Sequence, residues 1–213
     1  GALVMTHSDD QGLVLPPNLA PIQLVIVPIF RSDEEKELVF AEAEKIKKSL
    51  TQINISVKFD NRETHKPGYK FAEWELKGVP LRIGIGPRDV ANQTLEIARR
   101  DTKTKQIINA SELLDTIPML LKDIQDSMYQ RALQFRNENI TEVNTWEEFT
   151  EVLNSKAGFV SAHWDGTSET EEKIKELSKA TIRCIPLNNK QEEGKCVLTG
   201  NPSSQRVLFA KAY

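Results

Sequence analysis

The order of apolar and polar positions changes at Ile22. From there to Phe30 the chain is an apolar run, as in a strand buried on both faces. Ser32-Asp-Glu-Glu35 is a capping box that starts a helix, and Val39, Ala43, Ile46 and Leu50 form its apolar stripe. Ile55-Ser-Val-Lys-Phe59 alternates and predicts a strand, after which Pro67 opens a short helix that Gly78 closes. Val79 to Ile85, Leu95 to Ala98 and Gln106 to Ile108 predict three more strands. A long helix follows, capped by Ser111 or Thr116, with Pro118 in its first turn and a stripe of Ile117, Leu121, Ile124, Met128 and Phe135. Strands interleaved with helices predict an α/β fold, with a mixed five-stranded sheet and flanking helices over residues 21–120.

A second, smaller α+β domain is expected over residues 121–213, with the linking helix included. Trp146 to Leu153 and Thr170 to Leu177 predict helices; Gly158 to His163, Thr181 to Leu187 and Gln205 to Lys211 predict strands. Asn188 to Ser204 is rich in Asn, Gly, Lys and Ser and predicts a surface loop. Residues 1–20 stand apart. Leu3-Val-Met5 and Leu13-Val-Leu15 suggest two short strands that cannot fold alone, so they are expected to pack on the rest or pair with a sheet outside this chain.

Composition narrows the function classes. The 213 residues carry a net charge of −3, which argues against a generic DNA binder. Between Arg62 and Lys105, however, ten Lys/Arg face six Asp/Glu, a local +4 that leaves −7 for the remainder. Such a segment suits local contact with phosphates. The longest apolar run, Leu24 to Phe30, is strand-sized and contains Pro28, so no membrane span is expected. Two cysteines, Cys184 and Cys196, make no disulfide framework; with no export signal, a cytoplasmic location is expected.

The chemistry concentrates in residues 67–89. On a helix Phe71 and Glu75 are four apart and share a face, with Trp74 beside them. A ring stacks on an unpaired base, contributing ~1–3 kcal/mol, while a carboxylate accepts hydrogen bonds from the base edge. Guanine fits such a set. Its N1 and N2 groups donate, to Glu75 or Asp89; its O6 and N7 accept, from Arg82 or Arg88. The same residues also suit a plainer role, with the aromatics packed on the sheet and the charges on a solvated face.

The string Lys70-Phe-Ala-Glu-Trp-Glu-Leu-Lys-Gly-Val-Pro-Leu-Arg82, followed by Gly86-Pro-Arg-Asp89, resembles the anticodon-binding domain of prolyl-tRNA synthetases. Residues 1–17 resemble the end of that family's third class II motif. Thr181-Ile-Arg-Cys-Ile-Pro186 and Val207-Leu-Phe-Ala-Lys-Ala-Tyr213 resemble the C-terminal domain of its archaeal- and eukaryotic-type branch. The resemblance implies that the two guanines of the tRNA(Pro) anticodon are read by Phe71, Glu75, Arg82, Arg88 and Asp89. The family alternates Lys and Arg at the position of Arg88. The resemblance also implies a parent enzyme that ligates proline to tRNA with ATP and magnesium, a homodimer when whole, and a partner in its own catalytic domain.

Several expectations are negative. The motif 3 arginine that binds ATP in the family precedes Gly1, and Gly84-Ile-Gly86 is no phosphate loop, so these 213 residues are expected to hold no catalytic residue and no cofactor. His7, Asp9 and Asp10 are expected to support structure. The family's C-terminal domain often holds zinc on four cysteines; the aligned positions here are Asp165, Thr170, Cys196 and Leu198 or Thr199, so no zinc is expected. Tyr213 corresponds to the family's terminal tyrosine, which reaches toward the catalytic domain. A stand-alone interaction module for RNA or protein is the competing reading of the same fold.

Overall fold

The computed structural model describes residues 1–189 and 191–211. The role expected of Tyr213 lies outside the described residues. The chain divides into two compact units, residues 1–132 and 133–213.

The first unit is built on a five-stranded sheet in the order β2-β1-β3-β4-β5. Its strands are β1 (Leu24–Pro28), β2 (Val57–Phe59), β3 (Leu81–Ile85), β4 (Thr94–Arg99) and β5 (Lys105–Asn109). β1 pairs in parallel with β2 and β3, while β3–β4 and β4–β5 are antiparallel. The parallel centre explains the unbroken apolar run of β1, because both of its faces are covered. One face of the sheet carries Leu24, Ile26, Leu81, Ile83, Leu95, Ile97 and Ile108 into the main core. α2 (Asp33–Gln52) packs there through Val39, Ala43, Ile46 and Leu50, and its N-cap Ser32 accepts from the Glu35 N–H as its sequence predicts.

α5 (Leu113–Glu138) completes that core with Ile117, Leu120, Leu121, Ile124 and Met128. The linking helix was expected to belong to the second domain from residue 121; its buried face instead lies in the first unit's core. Pro118, expected in the first turn, is the sixth residue of the helix, where it removes one i→i−4 hydrogen bond. Phe135, expected on the apolar stripe, is 70% exposed, because that stripe stops contributing to the core after Met128.

The other sheet face is covered only in part. α3 (Pro67–Leu76) lies over β1, where Trp74 and half-buried Phe71 pack with Val25, Val27 and Val79. α4 (Pro87–Asn92) is a short helix that the sequence reading did not foresee. Residues 1–20 form no strands. Ala2–His7 is a helix, α1, with no buried residue, and the segment after it docks on the first unit. Asp9 receives both terminal nitrogens of Arg100, and the amides of Leu13 and Leu15 donate to the carbonyls of Leu76 and Gly78. Gly12, at φ 129°, is required there, since a Cβ would lie 2.6 Å from the Leu76 carbonyl oxygen.

The second unit is a four-stranded mixed sheet, β6-β7-β11-β8, from β6 (Ile140–Glu142), β7 (Phe159–His163), β8 (Ala180–Cys184) and β11 (Arg206–Lys211). α6 (Trp146–Ser155) and α7 (Ser168–Ser178) accompany it, around a core that includes Phe149, Val160, Ile174, Val207 and Phe209. The expected loop 188–204 contains a small hairpin, β9 (Gly194–Lys195) with β10 (Pro202–Ser203).

Candidate nucleic-acid interface

Register decides which side chains share the partly covered face. Arg82 pairs with Val25 and Ala98, Gly84 with Val27 and Glu96, and on the next strand Glu96 pairs with Ile107 and Ala98 with Lys105. Residues paired across strands point to the same side, so Arg82, Gly84, Glu96, Lys105 and Ile107 line one surface running out from beneath α3. Ile107 is 71% exposed on it. An apolar residue bare at the middle of an edge strand marks a surface that α3 does not reach.

At the inner end of this surface stands Arg82, 6% exposed. Its guanidinium lies over the Phe71 ring, with Cζ 3.7 Å from the centroid. Nη2 is 3.8 Å from Glu75 Oε1 and Nη1 is 3.9 Å from Glu96 Oε1, too far for hydrogen bonds. Nε and Nη1 are buried and have no hydrogen-bond partner among the described residues. Burial pushes the guanidinium below its usual pKa, against the pull of Glu75 and Glu96. A buried planar cation, stacked and with unfilled donors, is costly to maintain.

Thus three of the five sequence-predicted site residues, Phe71, Glu75 and Arg82, meet at one point. The spacing Phe71–Glu75 aims both toward β3, where Arg82 emerges. The other two lie at the start of α4. Asp89 turns back on its own helix, and its Oδ2 accepts from the Gly86 N–H at 2.8 Å. Arg88 is exposed and makes no ion pair among the described residues.

Sequence reasoning missed the cluster that fixes α3. Asp60, 1% exposed at the end of β2, accepts from Arg62 Nε and Nη2 at 2.8 and 2.7 Å and from Trp74 Nε1 at 2.8 Å. Lys70, 2% exposed, donates to the Asp60 carbonyl at 3.0 Å, and Arg62 also bridges to Glu73 at 2.6 Å. Burial alone would raise the Asp60 pKa; the hydrogen bonds from Arg62 and Trp74 outweigh it and hold the carboxyl well below the carboxylate range. Trp74, expected beside Phe71 and Glu75 and open to packing on the sheet, does pack there and is tied to Asp60 through its indole N–H. Only its indole N–H, which needs a partner when buried, hinted at this.

Residues 23–120 match the family described as the anticodon binding domain, and residues 146–213 match the C-terminal domain of prolyl-tRNA synthetase. The whole chain is 60% identical to a proline–tRNA ligase of Christiangramia forsetii, 64% to one of Flavobacterium psychrophilum and 55% to one of Porphyromonas gingivalis. In each case it spans 43% of the relative's length. The chain belongs to the prolyl-tRNA synthetase family. It corresponds to the anticodon-binding and C-terminal domains of those enzymes.

Within this synthetase region, the positions at which the resemblance implied zinc ligands in the family hold a hydroxyl-rich cluster around Asp165. Asp165 Oδ2 accepts from Thr170 Oγ1 and Thr199 Oγ1, both at 2.9 Å, and from Asn201 Nδ2 at 3.3 Å. Oδ1 takes the Thr167 hydroxyl and amide at 2.9 and 3.2 Å. Burial alone would raise this carboxyl; the threonine hydroxyls outweigh it and bring its pKa to about 2. One carboxylate thus ties the end of β7, the start of α7 and the 196–201 turn together through hydroxyl donors. A structural zinc site wants four thiolate or imidazole ligands. This donor set, with Cys196 its one thiol, does not fit, and no group of three metal-binding side chains occurs among the described residues. No helix of the described residues is long and apolar enough to cross a membrane.

Proposed function

We propose that the first unit reads guanines of the single-stranded tRNA(Pro) anticodon, within an enzyme that ligates proline to that tRNA using ATP. The observation that carries this reading is Arg82, buried on Phe71 beside Glu75, with Nε and Nη1 unpartnered among the described residues. A guanine offers its O6 to that guanidinium and its N1–H and N2–H to a carboxylate, while Phe71 and the exposed sheet surface give apolar support. Arg88, free at the rim, adds a cation for the base edge or the backbone. Asp89 contributes by fixing the turn that presents Arg88; with Oδ2 engaged, its Oδ1 is the atom left for a base.

The test is binding of the 213-residue chain to two anticodon stem-loops, one with the adjacent guanines of the proline anticodon and one with both replaced by adenine. The first is expected to bind more tightly, and Glu75→Ala or Arg88→Ala to narrow the gap. Equal affinity for the two loops removes the reading. The chain by itself is proposed to catalyse no proline-dependent pyrophosphate exchange and to need no metal; exchange above a heat-killed control contradicts the first point. A homodimer and a catalytic domain are the further partners proposed for the whole enzyme.

A further inference from the structure

The second unit carries an excess of acid: over residues 133–213, ten Lys/Arg stand against twelve Asp/Glu. Three of those cations nevertheless share one hollow. It is about 540 Å³ in volume and is formed by the end of α6, the bend after it, and strands β7, β11 and β8. Lys156, Arg183 and Lys211 line it, with Leu153, Phe159 and Ala210 as its apolar wall. No acidic side chain lines the hollow, and none of the three cations makes an ion pair among the described residues.

Two of the cations are held by neutral oxygens. Lys156 Nζ donates to the Glu138 carbonyl at 3.1 Å and to Thr141 Oγ1 at 3.2 Å, and Lys211 Nζ donates to Asn154 Oδ1 at 2.6 Å. Such bonds orient an ammonium without cancelling its charge. The Glu138 carboxylate is engaged elsewhere, accepting from Gln134 Nε2 at 2.7 Å. Arg183 is exposed. Gly158, at φ 124°, sets the bend, since a Cβ there would lie 2.4 Å from the Asn139 carbonyl oxygen. The residue after it, Phe159, keeps 37% of its surface open beside the cations. Like charges gathered in one hollow repel one another unless an anion joins them. An inorganic anion would leave the ring and the apolar wall unused, whereas a nucleotide brings a phosphate for the cations and a base for the ring. We infer that this hollow binds phosphate and an adjoining unstacked base of the tRNA outside the anticodon, with Lys156, Arg183 and Lys211 on the phosphates and Phe159 against the base.

This inference rests on tRNA being the partner proposed above, not on how the first unit reads guanine. Its test uses the full 213-residue chain with whole tRNA(Pro) and with the isolated anticodon stem-loop, each titrated at several salt concentrations. Whole tRNA is expected to bind more tightly and to lose affinity more steeply with salt. Lys156→Gln/Arg183→Gln/Lys211→Gln is expected to weaken whole-tRNA binding about tenfold or more and to flatten its salt slope by about 2, as for three single-strand phosphate contacts, with stem-loop binding unchanged. Phe159→Leu is expected to weaken whole-tRNA binding about fivefold or more at an unchanged salt slope. If the triple variant's unfolding midpoint falls, Arg183→Gln alone serves, with a slope flatter by about 0.7. Wild-type affinity and slope for whole tRNA in the cation variants, or an equal loss for tRNA and stem-loop, overturns the inference and leaves the guanine reading intact. Competition through these cations by poly-glutamate, where oligo-uridylate of equal charge has no effect, makes an acidic peptide the occupant and overturns it as well. Equal affinity for the guanine and adenine stem-loops overturns the guanine reading alone.

Discussion

Replacing Arg82 by methionine separates stability from recognition. Arg82 is 6% exposed, and its Nε and Nη1 are buried without partners among the described residues. Each buried donor left unmade costs ~1–3 kcal/mol. Against this stand two attractions at 3.8 and 3.9 Å, to carboxylates whose side chains are 48% and 37% exposed. In water-like surroundings each contributes ~1 kcal/mol, less in salt. Methionine keeps most of the volume and packs its thioether on Phe71, and exchange of a buried charge for an apolar side chain is often neutral or stabilising. The expected change in stability is therefore between about zero and ~4 kcal/mol in favour of Arg82→Met, with discrimination between the two stem-loops abolished. Urea unfolding in a Trp146→Phe/Trp164→Phe background leaves Trp74, on the same sheet face, as the only indole reporter. A loss of more than ~1 kcal/mol at unchanged denaturant slope would show that Arg82 is a structural residue whose unfilled donors serve no ligand.

Asp60→Ala is expected to destabilise the first unit by about 3–5 kcal/mol, because it leaves Lys70 buried without its counter-charge and the Trp74 indole without an acceptor; Trp74 fluorescence in denaturant checks it. Asp165 has a folded pKa lowered to about 2, so its contribution is complete above the ordinary carboxylate pKa of ~4 and is lost as pH falls from there through about 2. Acid unfolding of the second unit, followed by Trp164, should steepen in that window, and Asp165→Asn should flatten the profile and cost about 1.5–3 kcal/mol at neutral pH. A chelator is expected to leave the unfolding midpoint of the second unit unchanged; one zinc per chain in protein purified without added zinc contradicts that.

Most of the first unit was legible because its signals are local and agree with one another. The Ser32 capping box, the α2 stripe and the uninterrupted apolar run of β1 each specify one conformation, and the structure adopts it. Legibility fails where the signal is short. Leu3-Val-Met5 reads equally as strand or helix; it is helix α1, without a buried residue to betray its period. Pro87 at the first position of α4 was a start signal, but a six-residue helix has too little periodicity to register. The end of the α5 stripe was invisible for another reason: Phe135 keeps the spacing of the core positions but has no core to face.

The site was legible in its parts and not in its arrangement. Helical spacing could place Phe71 beside Glu75, but only strand register brings Arg82 and Glu96 to the same spot, from residues fourteen apart in sequence that neither period connects. The missing information is also energetic. In sequence, Arg82 is one cation among ten in a basic segment; in the fold it is the one that lies buried with donors unfilled among the described residues. A structural arginine at that depth would have acquired bonded partners, as Arg100, 4% exposed, has on all three nitrogens. The contrast between satisfied Arg100 and Arg82, whose Nε and Nη1 have no partner among the described residues, within a single domain, is what supports the proposal that Arg82 serves a bound base rather than the fold.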